Sequence, residues 1–393
     1  MENAPTVYHT LTRILGQTRT WLDKRHYQTL AWMITGLLAS KAVSLTEWAD
    51  YTLSRAQYAQ STVRRFARWL QNERIQVHEL YAPIIRQAIA EWGETTLYLA
   101  LDTSQIWKQF RIIRVSLVFR GRAIPLAWKV IIHDSSTVGF ETYRDVLDRV
   151  AELLPEGSRV VLLADRGFVD TALMDYLTKT LRWHWRIRIK SSVNVYRKHR
   201  RRIKVSSIRL KRGQARLWHN VYVTNKRLGP VHLALAKPQG TRETWIIVSD
   251  EPTSVATFDE YGLRFDIEEN FLDDKSNGFH LTDSQIRSTK ALERLLFVLA
   301  IATLFLVSQG VAVVEAGKRR WVDPHWFRGS SYLKIGWKWV RQAAVRGWAL
   351  ISKLVLSPQP DPEPAMASRK QAAKRKEKRI LSVQTEVFEL IHA

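Results

Sequence analysis

Four polar residues crowd one short stretch of this chain: Tyr261, Arg264, Glu268 and Lys275 in YGLRFDIEENFLDDK. On a helix turning about 100° per residue they fall within roughly 60° of one another. A carboxylate flanked by a guanidinium, an ammonium and a phenol on one face suits a metal ion bound together with a phosphate chain. The pattern equally fits a solvated face laced with i,i+4 ion pairs. Ser254 or Thr257 is expected to cap this helix, Asn277-Gly278 to end it, and Leu263, Ile267 and Phe271 to face a core.

Two further carboxylates follow runs that read as buried strands. TLYLALDTS carries Asp102 near its end, and RVVLLA (159–164) runs into Asp165. Ligands of open α/β sheets gather at the carboxyl ends of strands, although an aspartate there also serves as a turn former. Phosphoryl transfer on DNA commonly uses two divalent ions about 3.5–4 Å apart. Magnesium and manganese take oxygen ligands and keep several waters, so a few carboxylates suffice. Asp102, Asp165 and Glu268 are the candidate ligands, provided that a sheet brings two strand ends and one helix together. Other chemistry is poorly supported. The chain has no cysteine, no GxxxxGK[ST] loop and no HExxH-type spacing, which argues against thiolate catalysis, an ATP-driven mechanism and a zinc site of that type.

The elements that must position these residues read as a mixed α/β sheet with helical regions at both ends. Residues 1–94 show helical apolar spacing and form an expected DNA-binding region. Within it, STVRRFARW starts on a capping residue and presents Arg64, Arg65 and Arg68, as a recognition helix would. Residues 95–191 are the first part of the core. A three-strand meander runs through Arg111–Phe119 and Arg122–Ile132, then come a helix (142–153), the strand before Asp165, a helix (172–181) and a strand (183–190). Residues 192–249 read as a basic β-rich insertion, 250–316 as the second part of the core, and 317–393 as a C-terminal helical region. That last region holds a stiff linker, SPQPDPEP, and a helical tail with a basic start.

The charge balance points to a polyanion. With 393 residues the chain makes two to four structural units, and its 61 Lys+Arg against 37 Asp+Glu leave a net charge of +24. Thirteen Lys or Arg and no acid lie between Arg186 and Arg216, densest in RKHRRRIK with Arg200, Arg201 and Arg202. Trp218 and Trp245 are close by, so backbone tracking with base stacking is expected. LLFVLAIATLFLVSQGVAVV (295–314) is long enough to cross a bilayer, but Ser308, Gln309 and Gly310 interrupt it. It is expected to be a buried core helix, with no membrane partner. MENAPTVYHT lacks the basic and apolar regions of a signal peptide, in keeping with a cytoplasmic protein.

The spacing Tyr261-x2-Arg264-x3-Glu268-x6-Lys275 resembles the YREK signature of a group of bacterial insertion-sequence transposases of the DDE class. The resemblance extends to Asp102 in LALDTS, Asp165 in LLADRGF, the insertion and the apolar helix, from about residue 96 to 314. It implies a ribonuclease H-like core in which Asp102, Asp165 and Glu268 bind two magnesium ions, with manganese as a substitute. It implies cut-and-paste transposition by a synaptic homodimer acting on terminal inverted repeats and target DNA in the bacterial nucleoid. Water would cut one strand, the new 3′-hydroxyl would close a hairpin on the other, a second water would reopen it, and the free end would join the target. Tyr261, Arg264 and Lys275 would hold phosphates, and Trp245, or else Trp218, would stack on a flipped base. Two other readings stay open: a metal-dependent structure-specific nuclease, and a non-catalytic DNA-binding protein derived from a transposase.

Overall fold

A computed structural model of the chain describes residues 4–135, 138–197, 202–240, 243–366 and 380–389. The N-terminal region is helical, as its apolar spacing predicts: α1 (Ala4–Gly16), α2 (Lys24–Ser40), α3 (Leu45–Asp50), α4 (Ala59–Gln71) and α5 (Val77–Ala88). Asp23 caps α2 by accepting from the Arg25 N–H, and Ser44 caps α3 by accepting from Glu47. α4 begins at Ala59, ahead of Ser61, and no side chain caps it. It buries Thr62, Phe66, Trp69 and Leu70 and leaves Arg64 and Arg68 exposed.

Next come β1 (Thr96–Ile106), β2 (Phe110–Phe119) and β3 (Arg122–Ile132), an antiparallel meander joined by tight turns. α6 (Phe140–Ala151) leads to β4 (Arg159–Ala164), and α7 (Thr171–Asp175) runs through a π-helical turn into β5 (His184–Arg188). The strand order is β3-β2-β1-β4-β5, with β1, β4 and β5 parallel. This is the ribonuclease H-like arrangement. The insertion does not stand apart from it. β6 (Asn194–Tyr196), β7 (Arg202–Lys204), β8 (Gln214–Val223), β9 (Leu228–Lys237) and β10 (Trp245–Ser249) continue the same sheet, because β10 pairs antiparallel with β5.

The stretch around Glu268 departs from the single helix expected. α8 (Ala256–Gly262) stops at a glycine, a turn follows at Leu263-Arg264, and α9 (Phe265–Leu272) continues into a π-helical turn ending at Asn277. The stop at Asn277-Gly278 and the burial of Ile267 and Phe271 agree with the sequence. At the start the Ser254 hydroxyl accepts from the Ala256 N–H, but the cap position is Val255, whose side chain accepts nothing, and Leu263 is only half buried. α10 (Thr289–Glu315) is the long apolar helix, and 94% of its most apolar window is enclosed by the rest of the protein. Even its Arg294 is buried, donating to the Leu70 and Ile75 carbonyls. Each fully buried Leu, Ile, Val or Phe contributes about 1.5–3 kcal/mol, so this helix is a core strut. α11 (Tyr332–Arg346) crosses it where a Cβ on Gly336 would collide with the Leu306 carbonyl.

The C-terminal region differs most from expectation. SPQPDPEP is tied down and does not act as a spacer: Arg328 pairs with Asp361 at 2.6 Å and Arg319 with Glu363 at 2.7 Å. The tail forms a strand, β11 (Ser382–Val387), parallel to β8, where a helix was expected. A free strand edge on β8 outweighs local helical spacing, because pairing satisfies backbone groups on both strands. The basic start of the tail, 369–379, and Leu390 and Ile391 lie outside the described residues.

Candidate active site

Asp102 and Asp165 emerge side by side. β1 and β4 run parallel with Leu101 opposite Ala164, the last residue of β4, so Asp165 just past β4 comes out beside Asp102. Asp102 lies within β1, which runs on to Ile106, and not at its end as expected. Adjacent strands lie about 4.8 Å apart. Asp102 Oδ1 accepts from the Thr103 N–H at 2.8 Å. Asp165 Oδ1 accepts from the Gly167 N–H at 2.7 Å, capping the turn after β4. A Cβ at Gly167 would sit 2.9 Å from that oxygen, so glycine allows the close approach.

α9 carries Glu268, with its side chain half exposed, toward these strand ends. Arg264, only 5% exposed, joins the two sides. Its Nη1 donates to Asp102 Oδ2 at 3.1 Å, and its Nη2 donates to Glu268 Oε1. The Asp102 carboxyl is pushed up to about 6, first by burial; Arg264 pulls it down while the charges of Asp165 and Glu268 push it up further. Arg264 itself is held above its ordinary range: burial works against its charge, but Tyr261, Asp102 and Glu268 outweigh it. Three carboxylates thus share one electrostatic field around one buried cation. An oxygen-only donor set with excess negative charge fits a hard divalent ion, and the Arg264 guanidinium supplies the positive charge there.

The other predicted residues separate. Lys275 stands in the π-helical turn, partly buried, and its ammonium is pushed down by burial while Asp274 and Asp102 pull it up. Tyr261 does not share the outward stripe. It is fully buried with Leu217, Ala234, Ile247 and Phe258, yet it stays beside Arg264, whose guanidinium lies 5.9 Å from its ring centre. Trp218 is also core, 2% exposed beneath β11, donating to Glu386 and meeting Phe388 edge-on. Trp245 is partly exposed. It packs on Tyr261 and Phe265 and lines a groove of about 770 Å³ with Pro238, Phe258, Asp259 and Ile380. Arg65 and Arg68 line a second groove, of about 720 Å³, with Arg25 and Ser61. Arg202 is exposed on β7, while Arg200 and Arg201 lie outside the described residues.

Sequence reasoning missed a buried polar network under α9. Arg114 on β2, paired in register with Asp102, donates from Nη1 to Asn270 Oδ1 and to Asp274 Oδ2, both at 2.7 Å. Arg122 on β3 pairs with Asp273 at 3.0 Å. The available signal was an arginine inside the apolar run FRIIRVSLVF, since a charge in a buried strand requires a partner.

His184, Asp250 and Glu251 also lie with ligand atoms within 4.8 Å of one another. That cluster is already neutralised. Arg159 and Arg186 pair with Glu251 at 2.6 and 2.8 Å, and Asp250 accepts from His184 Nδ1 and from the Trp185 N–H. Arg159 opens β4 while Asp165 follows its last residue, so this cluster sits at the opposite end of the strand from Asp165.

The sequence matches the family described as transposase DDE domain over residues 103–305, just over half of the chain, a span that begins one residue after Asp102. No curated protein matches it. Among solved structures it is similar to a piggyBac transposase synaptic complex with hairpin DNA, determined by cryo-electron microscopy. That likeness covers 94% of this chain and 85% of the other at 11% identity, with a TM-score of 0.43. Divalent-metal dependence and DNA as substrate go with the family. By its matched domain, with a ribonuclease H-like sheet that sets Asp102 on β1 beside Asp165 just past β4, the chain belongs to the DDE transposases, enzymes that cut and transfer DNA strands.

Proposed function

We propose that Asp102, Asp165 and Glu268 form the catalytic metal site of an insertion-sequence transposase of the YREK group. The observation that carries this reading is the Arg264 bridge between Asp102 and Glu268, beside the parallel-strand neighbour Asp165. The three carboxylates would hold two magnesium ions, with manganese able to replace them. Such ions, when bound, activate the attacking oxygen and stabilise the leaving one.

The protein's own groups handle the DNA. Arg264 and Lys275, on either side of Glu268, would hold phosphates of the transposon end. Trp245 would stack on a base drawn into the groove beside Phe265. This suits an excision route in which the freed 3′-hydroxyl closes a hairpin on the opposite strand and water reopens it. Arg64 and Arg68, exposed on α4, with Arg65 in the adjoining groove, would contact the terminal repeat within an N-terminal DNA-binding region. A homodimer would bring two ends together, and the charge of +24 suits a cytoplasmic, nucleoid-associated protein.

The test is cleavage and joining of a labelled duplex carrying the element's terminal repeat, with magnesium. Asp165→Asn and Glu268→Gln are expected to bind the duplex as the wild type does and to cut at least 10³-fold more slowly, a loss of about 4 kcal/mol or more of barrier lowering. Undiminished cutting by either variant would remove that residue from the site. Nicking by the wild type with no joined product would favour the nuclease reading.

A further inference from the structure

The Glu268 helix needs something to fix its distance from Asp102 and Asp165, because Glu268 is itself half exposed and reaches Asp102 through the long side chain of Arg264. Polar side chains are buried on the other side, in α9 and in the π-helical turn after it. Asn270 and Asp274 are each 1% exposed, and both bond the same nitrogen of Arg114, also 1% exposed. The Arg114 guanidinium lies over the Phe271 ring at 4.7 Å. A single side chain therefore grips the helix at three residues just beyond Glu268. Its base is not arbitrary, for Arg114 stands directly opposite Asp102 in the β1–β2 ladder. The backbone that sets Asp102 thus also sets the clamp on Glu268.

We infer that Arg114 is a positioning residue that sets the spacing between Asp102 and Glu268 through Asn270 and Asp274. This rests on reading those two carboxylates as metal ligands. A buried ion pair is weak evidence of stability in itself, since well-packed apolar replacements often fold as well or better. That asymmetry allows geometry and stability to be separated. Groups behind metal ligands typically tune affinity or activity 10- to 100-fold.

The experiment measures Mn2+ binding by the full chain, by electron paramagnetic resonance without DNA, together with cleavage and thermal midpoint. In the double variant Arg114→Met/Asp274→Asn the buried charges go as a pair and both side chains keep nearly their size, the new amide facing that of Asn270. It is expected to melt near the wild type, yet to bind Mn2+ roughly tenfold more weakly and to cut roughly 10- to 100-fold more slowly. Asn270→Ala keeps the ion pair and is expected to show the same losses at smaller size, which covers the case of a double variant that fails to fold. Arg114→Lys is expected to recover part of the loss. Wild-type Mn2+ affinity and cutting in a folded double variant, or in Asn270→Ala, would overturn the inference. Glu268→Gln separates this failure from the larger one. If it retains both Mn2+ affinity and cutting, the metal-site reading falls; if it loses both while the clamp variants lose neither, only the role of Arg114 falls.

Discussion

Arg264 donates from Nη1 to Asp102 Oδ2 at 3.1 Å, from a buried position that also reaches Glu268. The arginine that the sequence assigns to DNA phosphates therefore balances the acidic site itself. A guanidinium and a divalent ion compete for the same oxygens. Two charges about 4 Å apart interact by roughly 4 kcal/mol at an effective dielectric of about 20, ample to alter ion binding.

Arg264→Gln is accordingly expected to raise Mn2+ affinity by about tenfold or more without DNA, and to weaken binding of the transposon end. Calorimetric titration with Mn2+ measures the first effect. An unchanged affinity would mean that Arg264 does not offset the carboxylates.

Much of this arrangement was legible in sequence. RVVLLA followed by Asp165, and TLYLAL followed by Asp102, announce buried strands carrying acids, and apolar runs of that length leave little choice of structure. Only β4 ends at its acid, because β1 runs on to Ile106 along β2. The apolar helix α10 was legible for the same reason. What escaped depends on contacts remote in sequence. Tyr261 stays beside Arg264 as the stripe predicts, but it is buried rather than outward because Leu217, Ala234 and Ile247, remote in sequence, cover it. Trp218 is covered by Glu386 and Phe388, some 170 residues away, on a tail whose local spacing reads as helix. Arg114 showed its charge in a strand but not its partners, because Asn270 and Asp274 meet it only across the packed α9–β2 contact.

Lys275 is partly buried near Asp102 and Asp274. Lys275→Ala is expected to weaken binding of the terminal repeat and to lower the slope of log affinity against log salt by about one. Fluorescence anisotropy across a salt series gives that slope. An identical slope would place Lys275 outside the phosphate contacts.

Trp245 shares its groove with Phe265 and Ile380. Its truncation, Trp245→Ala, is expected to leave first-strand nicking intact and to deplete the hairpin, since stacking on a base is worth about 1–3 kcal/mol. Denaturing gels resolve the two products. Normal hairpin yield would assign the stacking role elsewhere.

His78 tests the packing between α5 and the sheet. Its Nε2 lies 3.1 Å from the Trp128 carbonyl oxygen, and its ring is pushed down to about 4, chiefly by burial and further by Arg149. The unfolded ring takes up its proton near 6.5. The contribution from keeping the ring neutral is therefore present above pH 6.5 and is lost as the pH falls toward 4. The wild type should lose more thermal stability between pH 7 and 4.5 than His78→Gln. Parallel melting curves would contradict the neutral buried ring.

The central claim is that Asp102, Asp165 and Glu268 ligate catalytic metal. Its most direct test exchanges a ligand for a softer one and reads the change in metal preference. Asp165→Cys, assayed for cleavage of a terminal-repeat duplex, is predicted to be inactive with magnesium and to regain activity with manganese. Magnesium-supported cleavage at the wild-type rate would contradict the account.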